Sequence, residues 1–159
     1  MTDMKVNAVE PDGKTAALLT GAQFMDAYSV VIDAALDARH AAEKVLGRAP
    51  RWIRALMALR DHFIASFGLK TARSVRHASA NRIGIFPVLS ETSQRIVAGL
   101  NDRHLDFRVV IDVASAGVGC RVTATTVVLT HNLLGRVYLA IILPFHRLIV
   151  RSMLRQIAD

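Results

Sequence analysis

His146 is the residue in this sequence most out of keeping with its surroundings. It ends the run Tyr138-Leu139-Ala140-Ile141-Ile142-Leu143-Pro144-Phe145-His146, and on a helical wheel it falls among Leu139, Ile142, Ile149, Val150 and Met153. An imidazole changes charge near neutral pH, so at such a place it has two readings. It is either a core histidine bonded to a backbone carbonyl or neighbouring side chain, or a pocket residue able to bind a polar group or move a proton. Arg60 poses the same question within the stripe Ile53, Leu56, Met57, Phe63, Ile64 and Phe67. A guanidinium stays charged and rarely lies buried alone. It must reach past the stripe to water, meet a carboxylate, or hold a ligand anion.

Two further places offer polar groups. In the segment from His104, positions 105, 107, 109 and 111 (Leu, Phe, Val, Ile) alternate with His104, Asp106, Arg108 and Asp112. The polar face reads as a cross-strand charge ladder in water. An acid/base pair of His104 and Asp106 is the competing reading, weakened because residues two apart on a strand lie about 7 Å apart. The segment Thr130-His131-Asn132-Leu133-Leu134-Gly135-Arg136 then joins a strand to a helix. Free amides at the helix start, with Asn132 and Arg136 near, could hold an anion; turn chemistry of Asn and Gly explains the same residues. The candidate ligand-binding set is therefore Arg60, Tyr138 and His146, with Asp106, His131 and Arg136 beside them.

Other chemistry finds little support. Cys120 is the only cysteine, so a disulfide within the chain and a cysteine-rich zinc site are excluded, and the thiol reads as small buried filler. The six histidines (40, 62, 77, 104, 131, 146) include no two at ligand spacing on one element, and no metal is expected. Glycine-rich phosphate loops and the HExxH, CxxC and GxSxG signatures are missing, and no cofactor is expected.

The elements that would position these residues can be read from pattern. Residues 1–17 read as a flexible arm and 18–159 as one domain. Leu18–Ala35 is mostly extended around Tyr28-Ser29-Val30-Val31-Ile32. Asp37 caps a short helix that Gly47 stops, and Pro50 opens another that Gly68 closes. Three strand-like segments follow: one from Ile83, where Pro87 favours an edge or a bulge, then Gln94–Leu100, then His104–Ala114. Gly117–Gly119 turns the chain into a further strand ending near Asn132. The last segment, from Gly135 to about Ile157, is a helix, with Pro144 predicting a kink. Its arginines 147, 151 and 155 share one stripe, and nearly everything else, Phe145 included, is apolar. Such a helix is expected to be buried on most sides, with a sheet curled round it and only the arginine stripe in water. Antiparallel hairpins with helices on one face mean α+β, a curved antiparallel sheet around a long C-terminal helix.

Composition sets the outer bounds. The 159 residues are 52% hydrophobic, enough for a core without disulfide or metal. The longest apolar run, from Val137, falls far short of the ~20 residues a spanning helix needs, and the acidic N-terminus is no signal peptide, so a cytoplasmic protein without a membrane span is expected. The net charge of +7 is dispersed, without a dense basic block or an aromatic-rich strand, and nucleic acid is not expected as a partner.

Several stretches taken together carry a resemblance: Phe24-Met25-Asp26, Pro50-Arg51-Trp52, Leu56-Met57, Leu59-Arg60, Phe67-Gly68-Leu69-Lys70, His104-Leu105-Asp106-Phe107-Arg108, His131-Asn132, Gly135-Arg136, Tyr138 and Pro144-Phe145-His146-Arg147. From about Leu18 to Arg155 the chain resembles the bacterial family called Domain of Unknown Function 2867; Asp61 departs from the Asn expected after Arg60. The resemblance implies a helix-grip fold, similar to the START and pollen-allergen-like ligand-binding superfamily, in which a curved sheet grips a long helix over a cavity. Some relatives look fused to a nicotinamide-dinucleotide-binding reductase domain. No activity comes with the family, and fold alone does not give function. The leading expectation is a module binding a small apolar or amphipathic molecule between sheet and helix. A cyclase, dehydratase or isomerase using His146 or Asp106 as acid/base is the alternative. A third reading is an interaction domain that forms a homodimer or partners a reductase.

Overall fold

The computed structural model describes residues 4–48, 51, 54–55, 58, 81–84 and 86–158. Seven strands form one antiparallel sheet: β1 (Asn7–Val9), β2 (Phe24–Ile32), β3 (Arg82–Ile83), β4 (Phe86–Glu91), β5 (Arg95–Asn101), β6 (Leu105–Ala116) and β7 (Gly119–Thr130). Their spatial order is β1-β2-β7-β6-β5-β4-β3, so the first long strand closes on the last. The helices are a single turn α1 (Gly13–Ala16), α2 (Ala38–Leu46) and the long α3 (Leu133–Arg155), which a 3₁₀ turn extends to Ala158. The sheet is curved and open, and with α3 lying on it the fold is α+β and helix-grip-like.

Local chemistry accounts for most element ends. The Asp37 carboxylate accepts the amide of His40 at 2.8 Å and caps α2. β6 and β7 form a hairpin across Gly117-Val118, with Gly117 at φ +61°, where a side chain would strain the backbone. Next to Pro87 the β4–β5 register slips between Val88 and Ser90, the bulge that proline favours in a strand. The residues read as a loose arm instead add an edge strand and one helical turn. β1 pairs with β2, Val6 is 3% exposed and Thr15 1%. The helix expected from Pro50 falls largely outside the described residues; Arg51, Arg54, Ala55 and Ala58 are helical.

One face of the sheet carries the core. Tyr28, Val30 and Ile32 of β2 join Cys120, Val122 and Ala124 of β7, Ile111 of β6 and Ile96 of β5. Residues two apart along a strand share a face, so this inner face runs on through Phe24 and Asp26. α2 lies on β5 and β6, and α3 on β2 and β7. The end of α3 is held most firmly: Met153, Leu154 and the following Ile157 are in the core with Ala38, Ala41, Ala42 and Val45 of α2.

The rest of α3 departs from expectation. Of its 23 residues only Gly135, Met153 and Leu154 are buried. Leu133, Val137, Ile141, Phe145 and Leu148 are large apolar side chains left exposed, by 47 to 74%. The arginine stripe is also not uniform: Arg147 and Arg155 are exposed, whereas Arg151 is half-buried and reaches the carbonyl of Val6 at 3.4 Å. The reason is geometric. A sheet lying against one side of a helix covers one arc of it, and an all-round apolar wheel does not say which arc that is. The helix also continues through Pro144 as one element, and Leu133–Ala158 is long and apolar enough to cross a membrane by length and composition, which the sequence reading did not expect.

Candidate functional site

On the inner face, cross-strand neighbours stack into rows. One row is Phe24, Val128, Phe107 and Leu100; the next is Asp26, Thr126, Val109 and Ala98; the third is Tyr28, Ala124, Ile111 and Ile96. Asp26 is the one charged side chain in these rows. A carboxylate there is costly unless it is paired, and its partner comes from α3: His146 Nε2 lies 3.1 Å from Asp26 Oδ1. The two side chains are 15% and 22% exposed, so the pair is neither sealed in the core nor open to bulk water.

Apolar groups frame the pair. The Phe24 ring stands edge-on to the His146 ring, centroids 5.4 Å apart at 89°, a favourable aromatic geometry. Phe107, in the same row as Phe24, meets Phe86 edge-on at 5.7 Å. An ionised Asp26 accepts from Nε2–H, which fixes the neutral imidazole as the tautomer with Nδ1 free of its proton. A carboxylate holding one ring nitrogen so that the other can accept or deliver a proton is the arrangement of an oriented histidine.

The predicted site residues separate into groups. His146 faces the sheet as expected, but its carboxylate partner is Asp26, not Asp106. Tyr138 lies half-buried on the same helix, about two turns earlier. Asp106 and His131 meet elsewhere, at the corner between β6, β7 and α3, with His131 Nε2 3.1 Å from Asp106 Oδ1. Asp106 Oδ1 also accepts the amide of Asp102 at 3.1 Å. His104 is not its partner; the His104 Nδ1 sits 2.8 Å from Asn132 Nδ2. Asn132 in turn caps α3 through the amide of Gly135 at 3.0 Å. Gly135 packs so closely on the His104 carbonyl that a Cβ would run into that oxygen. These contacts fasten a strand corner to a helix start, which is the turn-chemistry reading of the segment. Arg136 is exposed. Arg60 lies outside the described residues.

The outer face of the sheet carries the charge ladder in part. Arg95 on β5 faces Asp112 on β6 and binds both its oxygens, at 2.6 and 3.0 Å. It also reaches Asp12 at 3.0 Å. Hydrogen bonds to Asp112 raise the Arg95 pKa further, against the opposing effect of burial. Hydrogen bonds from the Thr15 hydroxyl and amide, reinforced by Arg95, hold the Asp12 carboxyl below its ordinary value. An open groove of about 1020 Å³ runs here beside β1, lined by Lys5, Lys14, Arg95, Arg121, Thr123 and Thr125 among others. Among the described residues no group of three or more His, Cys, Asp or Glu side chains is placed to hold a metal ion.

Asp26 is the functional candidate that sequence reasoning missed. Its signal was present: in Phe24-Met25-Asp26-Ala27-Tyr28-Ser29-Val30 the carboxylate falls in phase with Phe24, Tyr28 and Val30, where a strand's apolar face should have no charge. In a comparison with known families, residues 18–153 match a family described as "Protein of unknown function (DUF2867)". Comparison with curated proteins and with solved structures gives no match.

Proposed function

Because the chain belongs to the DUF2867 family, whose description assigns no activity, we propose on the geometry of this chain that it binds a small apolar or amphipathic molecule between the sheet and α3. The proposal includes the finer placement of the fold beside the START and pollen-allergen-like superfamily, and a bacterial, cytoplasmic setting. The observation that carries it is the largely but not fully buried Asp26–His146 pair, set among the aromatic and aliphatic rows of the inner face. Ligand pockets combine a mostly apolar lining with a few placed polar groups, and this pair supplies one donor–acceptor anchor beside Phe24 and Thr126. The ligand it fits has an apolar body and a hydroxyl, carbonyl or carboxyl group for the imidazole.

The same pair favours a second reading, acid/base catalysis by His146 with Asp26 orienting it, as in a cyclase, dehydratase or isomerase. Asp106 recedes from that role because it is engaged by His131 and the Asp102 amide. Native mass spectrometry of the protein purified from its own cells tests the binding proposal. A retained small molecule is expected in the parent chain, with clear loss in His146→Phe and Asp26→Leu variants that keep the parent melting point. Equal retention in all three, or no retained mass together with no melting shift across a panel of fatty acids and hydroxylated aromatics, would overturn it.

A further inference from the structure

The exposed side of α3 is independent of the Asp26–His146 pair, which lies on the opposite side of the helix. Leu133, Val137, Ile141, Phe145 and Leu148 recur at spacings of four, four, four and three residues, forming one row that winds through about 120° of the helix surface. At 1.5 Å per residue the row is about 22 Å long. It exposes on the order of a few hundred Å² of apolar surface, the size at which a patch on a soluble chain is usually functional. Only 6% of the most apolar window of this helix is buried. Helices of this hydropathy that serve as cores are mostly buried; this one is not.

Charge decides what such a row fits. Arg136, Arg147 and Arg155 are exposed on this helix, Arg155 within the arc of the row and the other two beside its edge at about 100° per residue, and no carboxylate occurs between His131 and Ala158. The chain as a whole carries +7. A second copy packed on this row through a two-fold axis would set arginines against arginines with no acidic group on the helix to pair them, which opposes self-association. An anionic lipid surface meets both features at once. The apolar side chains enter the boundary between headgroups and acyl chains, and the arginines reach lipid phosphates along their own aliphatic stems. Crossing the bilayer is a different matter. Met153, Leu154 and Ile157 sit in the core, and His146 is bound to Asp26, so the other side of this helix is committed to the sheet.

We infer that the exposed row of α3 is a peripheral membrane-docking surface for anionic lipid, with the helix lying in the plane of the interface. The full chain should sediment with vesicles of phosphatidylcholine and phosphatidylglycerol, and not with phosphatidylcholine alone. Each of Arg136→Gln and Arg147→Gln should weaken that partition about fivefold, the equivalent of ~1 kcal/mol per basic residue at the surface. Ile141→Asp and Leu148→Asp should each weaken it about tenfold or more, with melting points close to the parent because both positions are exposed. Four results would overturn the inference: no sedimentation with either vesicle, equal sedimentation with both, partition unchanged in the two aspartate variants, or a concentration-dependent dimer that these aspartates dissolve. Tight binding of an acidic protein that vesicles do not displace would overturn it as well, by assigning the row to a protein partner.

Discussion

Replacing Leu154 and Phe145 by alanine, one at a time, tests where α3 is gripped. Leu154 is 0% exposed and packs with α2 and the inner face of the sheet. Its truncation loses the full transfer energy and leaves a cavity, at a cost of about 3–4 kcal/mol. Phe145 is 47% exposed. Roughly half of its burial is available to lose, and solvent can fill the space it vacates, so a fully buried Phe→Ala value of about 3–5 kcal/mol falls to about 1–2. The predicted gap is thus about 2 kcal/mol in favour of the larger residue being the cheaper loss. For a domain of this size it corresponds to a difference in melting point of roughly 4–8 °C. Urea unfolding followed by far-UV circular dichroism reads it directly, provided that the m-values of both variants match the parent. Equal costs, or a larger cost at Phe145, would mean that the first half of the helix is covered as well as its end, and both the correction to the buried-helix expectation and the docking inference would fall with it.

Other predictions follow from contacts at the helix start and from the outer face. Gly135→Ala gains about 1 kcal/mol of helix propensity, yet its methyl group meets the His104 carbonyl oxygen, a backbone atom with little room to yield. A net destabilisation of roughly 1–2 kcal/mol is expected, and a stabilised variant in thermal melts would refute the close approach. Acid sensitivity should have an identifiable component from Asp12 and Asp37. Hydrogen bonds from Thr15 lower the first, and those from the His40 amide and side chain lower the second. A carboxyl whose pKa is depressed in the folded chain contributes its stability fully above the unfolded value, here 3.8, and loses it as pH falls through the folded one. Unfolding midpoints should therefore drop from about pH 4 downward, and less steeply in a double variant Asp12→Asn, Asp37→Asn; identical acid limbs would remove these caps from the account.

The two-residue alternation of β6, the β-rich composition of β2, the Asp37 cap, the Gly117 turn and the bulge beside Pro87 were legible in the sequence. Each rests on an interaction reaching only a few residues along the chain, or on a side-chain period that the backbone fixes by itself. His146 was legible as an exception to its helix, and Asp26 could have been found as an exception to its strand. That they are partners could not, because 120 residues separate them and the closure of β2 onto β7 brings them together. The same applies at the corner, where Asp106 and His131 meet each other and His104 turns to Asn132; residue types alone allowed other pairings. The apolar wheel of the last helix showed that it had more apolar surface than one stripe needs. Which arc would meet the sheet was decided by packing, since hydrophobic burial is proportional to area and indifferent to direction. Only the assembled sheet selected the face of Met153 and Leu154 and left Ile141 and Leu148 exposed.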